Sequence, residues 1–82
     1  MENQRVHACL DLIRKEYDRA LLKHPKPFAN LRAAHSVIEE KYDEFWDEVK
    51  QDGKPADIES ELAQLGAMAL RALVECGPHF SG

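Results

Sequence analysis

The chain has 82 residues, a formal charge of −4 from 15 acidic and 11 basic side chains, and a composition that is 44% hydrophobic and 32% charged. That length allows one domain, here read as spanning 1–82, and a chain so short buries only about 60% of the surface its unfolded form exposes, so support from self-association is expected. The acidic balance argues against a nucleic-acid binder, which needs a clustered basic surface, and no apolar run approaches the roughly 20 residues of a membrane span.

The opening "MENQRVHACL" has no charged leader followed by an apolar stretch, which sets the expectation of a cytoplasmic protein. From there the apolar positions Val6, Cys9, Leu10, Ile13, Tyr17, Ala20 and Leu21 recur at helical spacing, predicting a first helix over 3–23. Pro25 and Pro27 end it, because proline lacks an amide donor and disfavours helical geometry in the residue before it. Asn30 supplies an N-cap for a second helix over 30–51 with the stripe Leu31, Ala34, Ile38, Tyr42, Phe45 and Val49, and Gly53 closes it before Pro55 begins the next. The third helix, over 56–75, carries acidic residues near its start and is closed by Gly77 and Pro78. The fold class expected is all-α.

The third helix has two apolar sides, one of Ile58, Leu62, Leu65, Ala69 and Leu73, the other of Ala63, Ala67, Leu70 and Val74. Two such sides need two partners, so the antiparallel helices are expected to complete their bundle as a homodimer or homotetramer, with Gly66 allowing a neighbouring backbone close. A wide core face within a monomer is the alternative. Cys9 and Cys76 read as free thiols behaving as small core residues, and His7, His24, His35 and His79 have no zinc-type spacing.

The segment "VIEEKYDEFWDEVK" concentrates carboxylates on the second helix, with Glu40, Asp43, Glu44 and Asp47 within roughly 100° of one another. Ordinarily that is a solvated face. Like charges one turn apart destabilise a helix by a few tenths of a kcal/mol per pair, however, and the third helix offers Glu61 and Gln64 one turn apart. Oxygen ligands from two helices suit Mg²⁺, or Mn²⁺ in its place, bound through a few carboxylates with waters and substrate phosphates completing its shell. The expected metal ligands are Glu40, Asp43, Glu44, Glu61 and Gln64, with Asp47 nearby. Trp46, off the apolar stripe, would be a pocket wall, and His35, one turn before Glu39, a phosphate contact or proton carrier.

The run "AHSVIEEKYDEFWDEVK" followed by "ELAQLGAMALRAL" resembles the MazG-like all-α nucleoside triphosphate pyrophosphohydrolases, especially their short phage and bacterial members, over roughly 28–75. The resemblance implies a Mg²⁺-dependent hydrolase of nucleoside triphosphates, built from dimers or tetramers of helical bundles, with Glu40 and Glu44 as catalytic metal-binding carboxylates. Two positions depart from the pattern. Lys41 stands where the family's second carboxylate falls, and Gln64 stands for its usual aspartate. The rival expectation is a non-catalytic helical oligomerisation or interaction protein with an acidic docking face.

Overall fold

The computed structural model describes residues 2–77, and the expected closure by Pro78, together with His79, lies outside them. Its elements are α1 (Glu2–Lys23), α2 (Leu31–Lys50) and α3 (Pro55–Cys76), with no strand among the described residues. The fold is all-α, as expected. No helix among the described residues is long and apolar enough to cross a membrane.

Local chemistry fixes the boundaries. Asn30 is extended and its side chain accepts from the amide of Ala33 at 2.9 Å, satisfying one of the donors a helix start leaves free. At the far end the expectation for Gly53 needs revising: the left-handed residue is Asp52, at φ 53°. Gly53 is required for space instead, because a Cβ there would lie 2.9 Å from the carbonyl oxygen of Glu48. Pro55 occupies the first turn of α3, where its missing amide costs nothing.

α3 is the hub. It packs against α2 and against α1, while α1 and α2 make no close backbone approach to each other. Pairings at Glu44 with Glu61, Lys41 with Gln64 and Phe28 with Glu75 step in opposite directions along the chain, so α2 runs antiparallel to α3. Ile13 lies beside Gly66, and the carbonyls of His24 and Lys26 meet Arg71, so α1 runs in the same sense as α3. The neighbour that Gly66 admits is thus the Ile13 side chain of α1, within 3.1 Å of where a Cβ would stand.

The interior is small. Its buried apolar residues are Ala34, Ala63, Ala67 and Met68, mostly short side chains that let α1 and α2 lie close against α3. Ala34 and Lys41 share the inward face of α2, so α2 meets α3 along the border between its apolar and acidic stripes rather than through the centre of the apolar one. Tyr42 and Leu31 are consequently left 50% and 60% exposed. Residues 2–11 of α1 are exposed throughout, Val6, Cys9 and Leu10 included, so only the second half of the expected α1 stripe packs and Cys9 is not a core residue. Cys76 is half-buried, and both thiols are free.

One buried charge ties the assembly together. Arg71, 2% exposed, pairs with Glu75 at 2.9 Å one turn on, and its Nη2 donates to the carbonyls of His24 at 2.7 Å and Lys26 at 2.6 Å. Its guanidinium also lies 5.2 Å from the ring centre of Phe28, a cation–π distance. Glu75 in turn accepts from the amide of Phe28 at 2.8 Å. The linker between α1 and α2 is therefore stitched to the end of α3 by charge-assisted hydrogen bonds, which substitute for the apolar contacts that alanine-lined helices lack.

Candidate functional site

Because α2 meets α3 along its polar border, charged groups are drawn between the two helices. Lys41 and Glu44 from α2 face Glu61 and Gln64 from α3. The Lys41 ammonium pairs with Glu44 Oε2 at 3.3 Å and donates to Gln64 Oε1 at 3.2 Å. The Gln64 amide nitrogen then donates to Ser60 Oγ at 3.2 Å, which fixes which end of that amide faces Lys41.

Glu61 is the least comfortable member. Its Oε2 is enclosed and has no hydrogen-bond partner among the described residues. Burial, then the charge of Glu44 and a hydrogen bond shared with it, and finally the charge of Glu48, push its carboxyl above the usual range; the Lys41 ammonium pulls the other way. The neighbouring Glu44 carboxylate disfavours a second negative charge, so the Glu61 carboxyl holds its proton more readily than an isolated one.

The structure brings Glu44, Glu61 and Gln64 together and leaves the other expected ligands elsewhere. Glu40 is exposed and turned toward the space between α1 and α2. Asp43 lies on the outer face, as does Asp47, which pairs with Lys50 at 3.5 Å. Among the described residues no three acidic, histidine or cysteine side chains converge as a metal cage would require. The Lys41 ammonium already stands between Glu44 and Gln64, so the donors as placed do not fit Mg²⁺ or Mn²⁺. Trp46 is 45% exposed and sits apart from this cluster, so it forms no wall of it. His35 is exposed, 3.8 Å from Glu39.

A second concavity lies between α1 and α2, a cleft of about 580 Å³ floored by Ala67, Met68 and Arg71 of α3. Lys23 and Lys26 stand at it, beside Glu16 and Glu40. Sequence reasoning missed Arg71, although a lone arginine in the apolar run "AMALRALVE" with a glutamate four residues on is the pattern of a buried ion pair. No family model matches the chain, and comparison with curated proteins and with solved structures returns no match either.

Proposed function

We propose that this chain is a non-catalytic helical interaction module, whose α2 and α3 present one continuous apolar face to a partner. A single observation carries the reading. On α3, Leu62 (47% exposed), Ala69 and Leu73 (59% exposed) lie on the side away from both α1 and α2, flanked by half-buried Leu65, Ile58 and Cys76. At about 100° per residue no charged side chain falls among them. Leu31, Ile38, Tyr42 and Phe45 line the adjoining flank of α2, on the side opposite the cleft, with the rings of Tyr42 and Phe45 6.5 Å apart. A solvated helix would carry charge along such a stripe, and contiguous apolar surface of this kind marks an association site. The outer acidic face of α2, with Asp43 and Asp47, remains free to dock a basic surface.

Sedimentation equilibrium of the purified chain tests the reading. A mass above the 9.3 kDa protomer is expected, returning toward that value in Leu62→Lys. A monomeric wild-type chain that binds no apolar dye would overturn it.

The Mg²⁺-dependent nucleoside triphosphate pyrophosphohydrolase is the second reading, favoured by the enclosed, unpartnered Oε2 of Glu61 beside Glu44. It requires Lys41 to withdraw from Glu44 and Gln64. Millimolar Mg²⁺ should then raise the thermal midpoint by mass action, more in Lys41→Ala than in the wild type. Pyrophosphate release from nucleoside triphosphates should disappear in Glu44→Ala. No shift in either protein, with no release, eliminates this reading.

A further inference from the structure

We infer that the cleft between α1 and α2 binds a small amphipathic anion, a medium-chain carboxylate with its head at the Arg71 end and its chain laid along α3. The cleft opens on the side opposite the apolar face, so the inference is independent of the interaction reading above.

The cleft is built from helical repeats. Gln64, Ala67, Met68 and Arg71 of α3 recur at i, i+3, i+4 and i+7, and so do Glu16, Arg19, Ala20 and Lys23 of α1. Two such stripes running in the same sense make a trough whose length is set by seven residues of helix, about 10 Å. Val37 of α2 stands on its other side. The volume of about 580 Å³ falls within the ~300–1000 Å³ of small-molecule sites, which likewise combine an apolar lining with a few convergent polar groups.

Charge is sorted along the trough. Its lining carries five cations, Arg19, Lys23, Lys26, Lys41 and Arg71, against Glu16 and Glu40, a local balance of +3 in a chain of −4. Arg19 is paired with Glu16 and Lys41 with Glu44. Lys23 and Lys26 have no ion-pair partner among the described residues. Both stand at the end where Arg71 reaches the carbonyls of His24 and Lys26. Arg71 is 2% exposed, its Nε and Nη2 are committed, and its Nη1 makes no hydrogen bond among the described residues. A cation at Lys23 complements the C-terminal dipole of α1, but Lys26 lies beyond that helix and Arg71 on another. Glu75 answers Arg71 alone, which leaves two ammoniums to attract an anion and a charged donor at Nη1 to orient it.

The remainder of the trough selects the body. Ala20, Val37, Ala67 and Met68 are aliphatic, so burying a hydrocarbon among them is favourable. Glu40, beside the contact of Lys41 with Gln64, repels negative charge from the opposite end. One anionic head followed by a hydrocarbon chain of about 10 Å fits this order. A polyphosphate, which spreads its charge along its length, does not.

Two-dimensional amide NMR of the purified chain titrated with octanoate tests the inference. Octanoate should shift the amides of Ala20, Val37 and Met68 and leave those of Leu62 and Leu73, on the opposite side, unmoved. Acetate supplies the head alone and octanol the chain alone, so neither should move the cleft amides at the same millimolar concentration. Affinity should rise from butanoate to octanoate and level off for longer chains, because the trough ends at Gln64. Lys23→Glu/Lys26→Glu changes two exposed side chains and should keep the fold, and octanoate should bind it about tenfold more weakly as two partly solvated ion pairs are lost. Shifts confined to Leu62 and Leu73, octanol binding as tightly as octanoate, an affinity unchanged in the double variant, or displacement of octanoate by equimolar adenosine triphosphate would each overturn the inference. The sedimentation result for the wild type is read separately, so failure here leaves the interaction reading in place.

Discussion

Truncating Arg71 to methionine probes what holds the three helices in one body. The substitution keeps an unbranched apolar stem and removes the guanidinium, so the pair to Glu75 and both bonds to the carbonyls of His24 and Lys26 are lost. Breaking a buried pair by removing one partner costs about 3–5 kcal/mol, because the other charge is left uncompensated. The Glu75 carboxylate keeps the amide of Phe28 as a partner at 2.8 Å and is still 13% exposed, so its charge is partly compensated and the lower half of that range applies, about 3 kcal/mol. For a domain of this size each kcal/mol moves the midpoint by roughly 4–8 °C, so thermal unfolding followed by circular dichroism should show a drop of at least about 12 °C. Protomer concentration must be matched, since association shifts apparent stability. The companion variant Arg71→Met/Glu75→Leu removes both charges and should recover much of the loss. A single variant melting within a few degrees of wild type would refute the claim that this cluster, rather than apolar packing, secures the linker.

Other perturbations separate the remaining contributions. The Glu61 carboxyl is pushed above its ordinary 4.5 by burial first and by Glu44 next, so its ionisation opposes folding: the stability it permits is full below 4.5 and is lost as pH rises through the raised value. Glu61→Gln should therefore match wild type at acid pH and become the more stable of the two toward neutrality, as read from urea midpoints across that range; a constant offset at all pH values would contradict it. Ala67 is fully buried at the meeting of the helices, and Ala67→Leu should destabilise by about 1–3 kcal/mol through overpacking, visible as a lower urea midpoint with an unchanged slope. Asn30→Ala removes the cap to Ala33 and should cost roughly 1 kcal/mol, with faster amide exchange confined to the first turn of α2.

The elements were legible because helix-breaking and capping residues are local: Pro25, Pro27, Asn30, Gly53 and Pro55 bracket three runs with helical spacing. How the helices turn toward one another was not. Periodicity places Ile38, Tyr42 and Phe45 on one stripe of α2 but does not say which border of that stripe meets α3; Ala34 is buried on that border and Lys41 is carried inward beside it. For the same reason Glu44, Glu61 and Gln64 come together as the spacing suggested, whereas Glu40 and Asp43 point elsewhere. The two apolar sides of α3 were readable in the sequence; that α1 would take only one of them depends on where its packed half ends, which no local signal records.

Having α3 as the sole meeting point also orders the events of folding. The turn joining α2 to α3 spans residues 51–54, whereas the contact of Ile13 with Gly66 links positions more than fifty residues apart. Closing a short loop costs less entropy than closing a long one, so the α2–α3 hairpin should zip first and offer a template on which the amino-terminal helix docks afterward. The edge that waits longest for its neighbour is then the one Arg71 latches, giving the last step of assembly an ionic fastening rather than a greasy one.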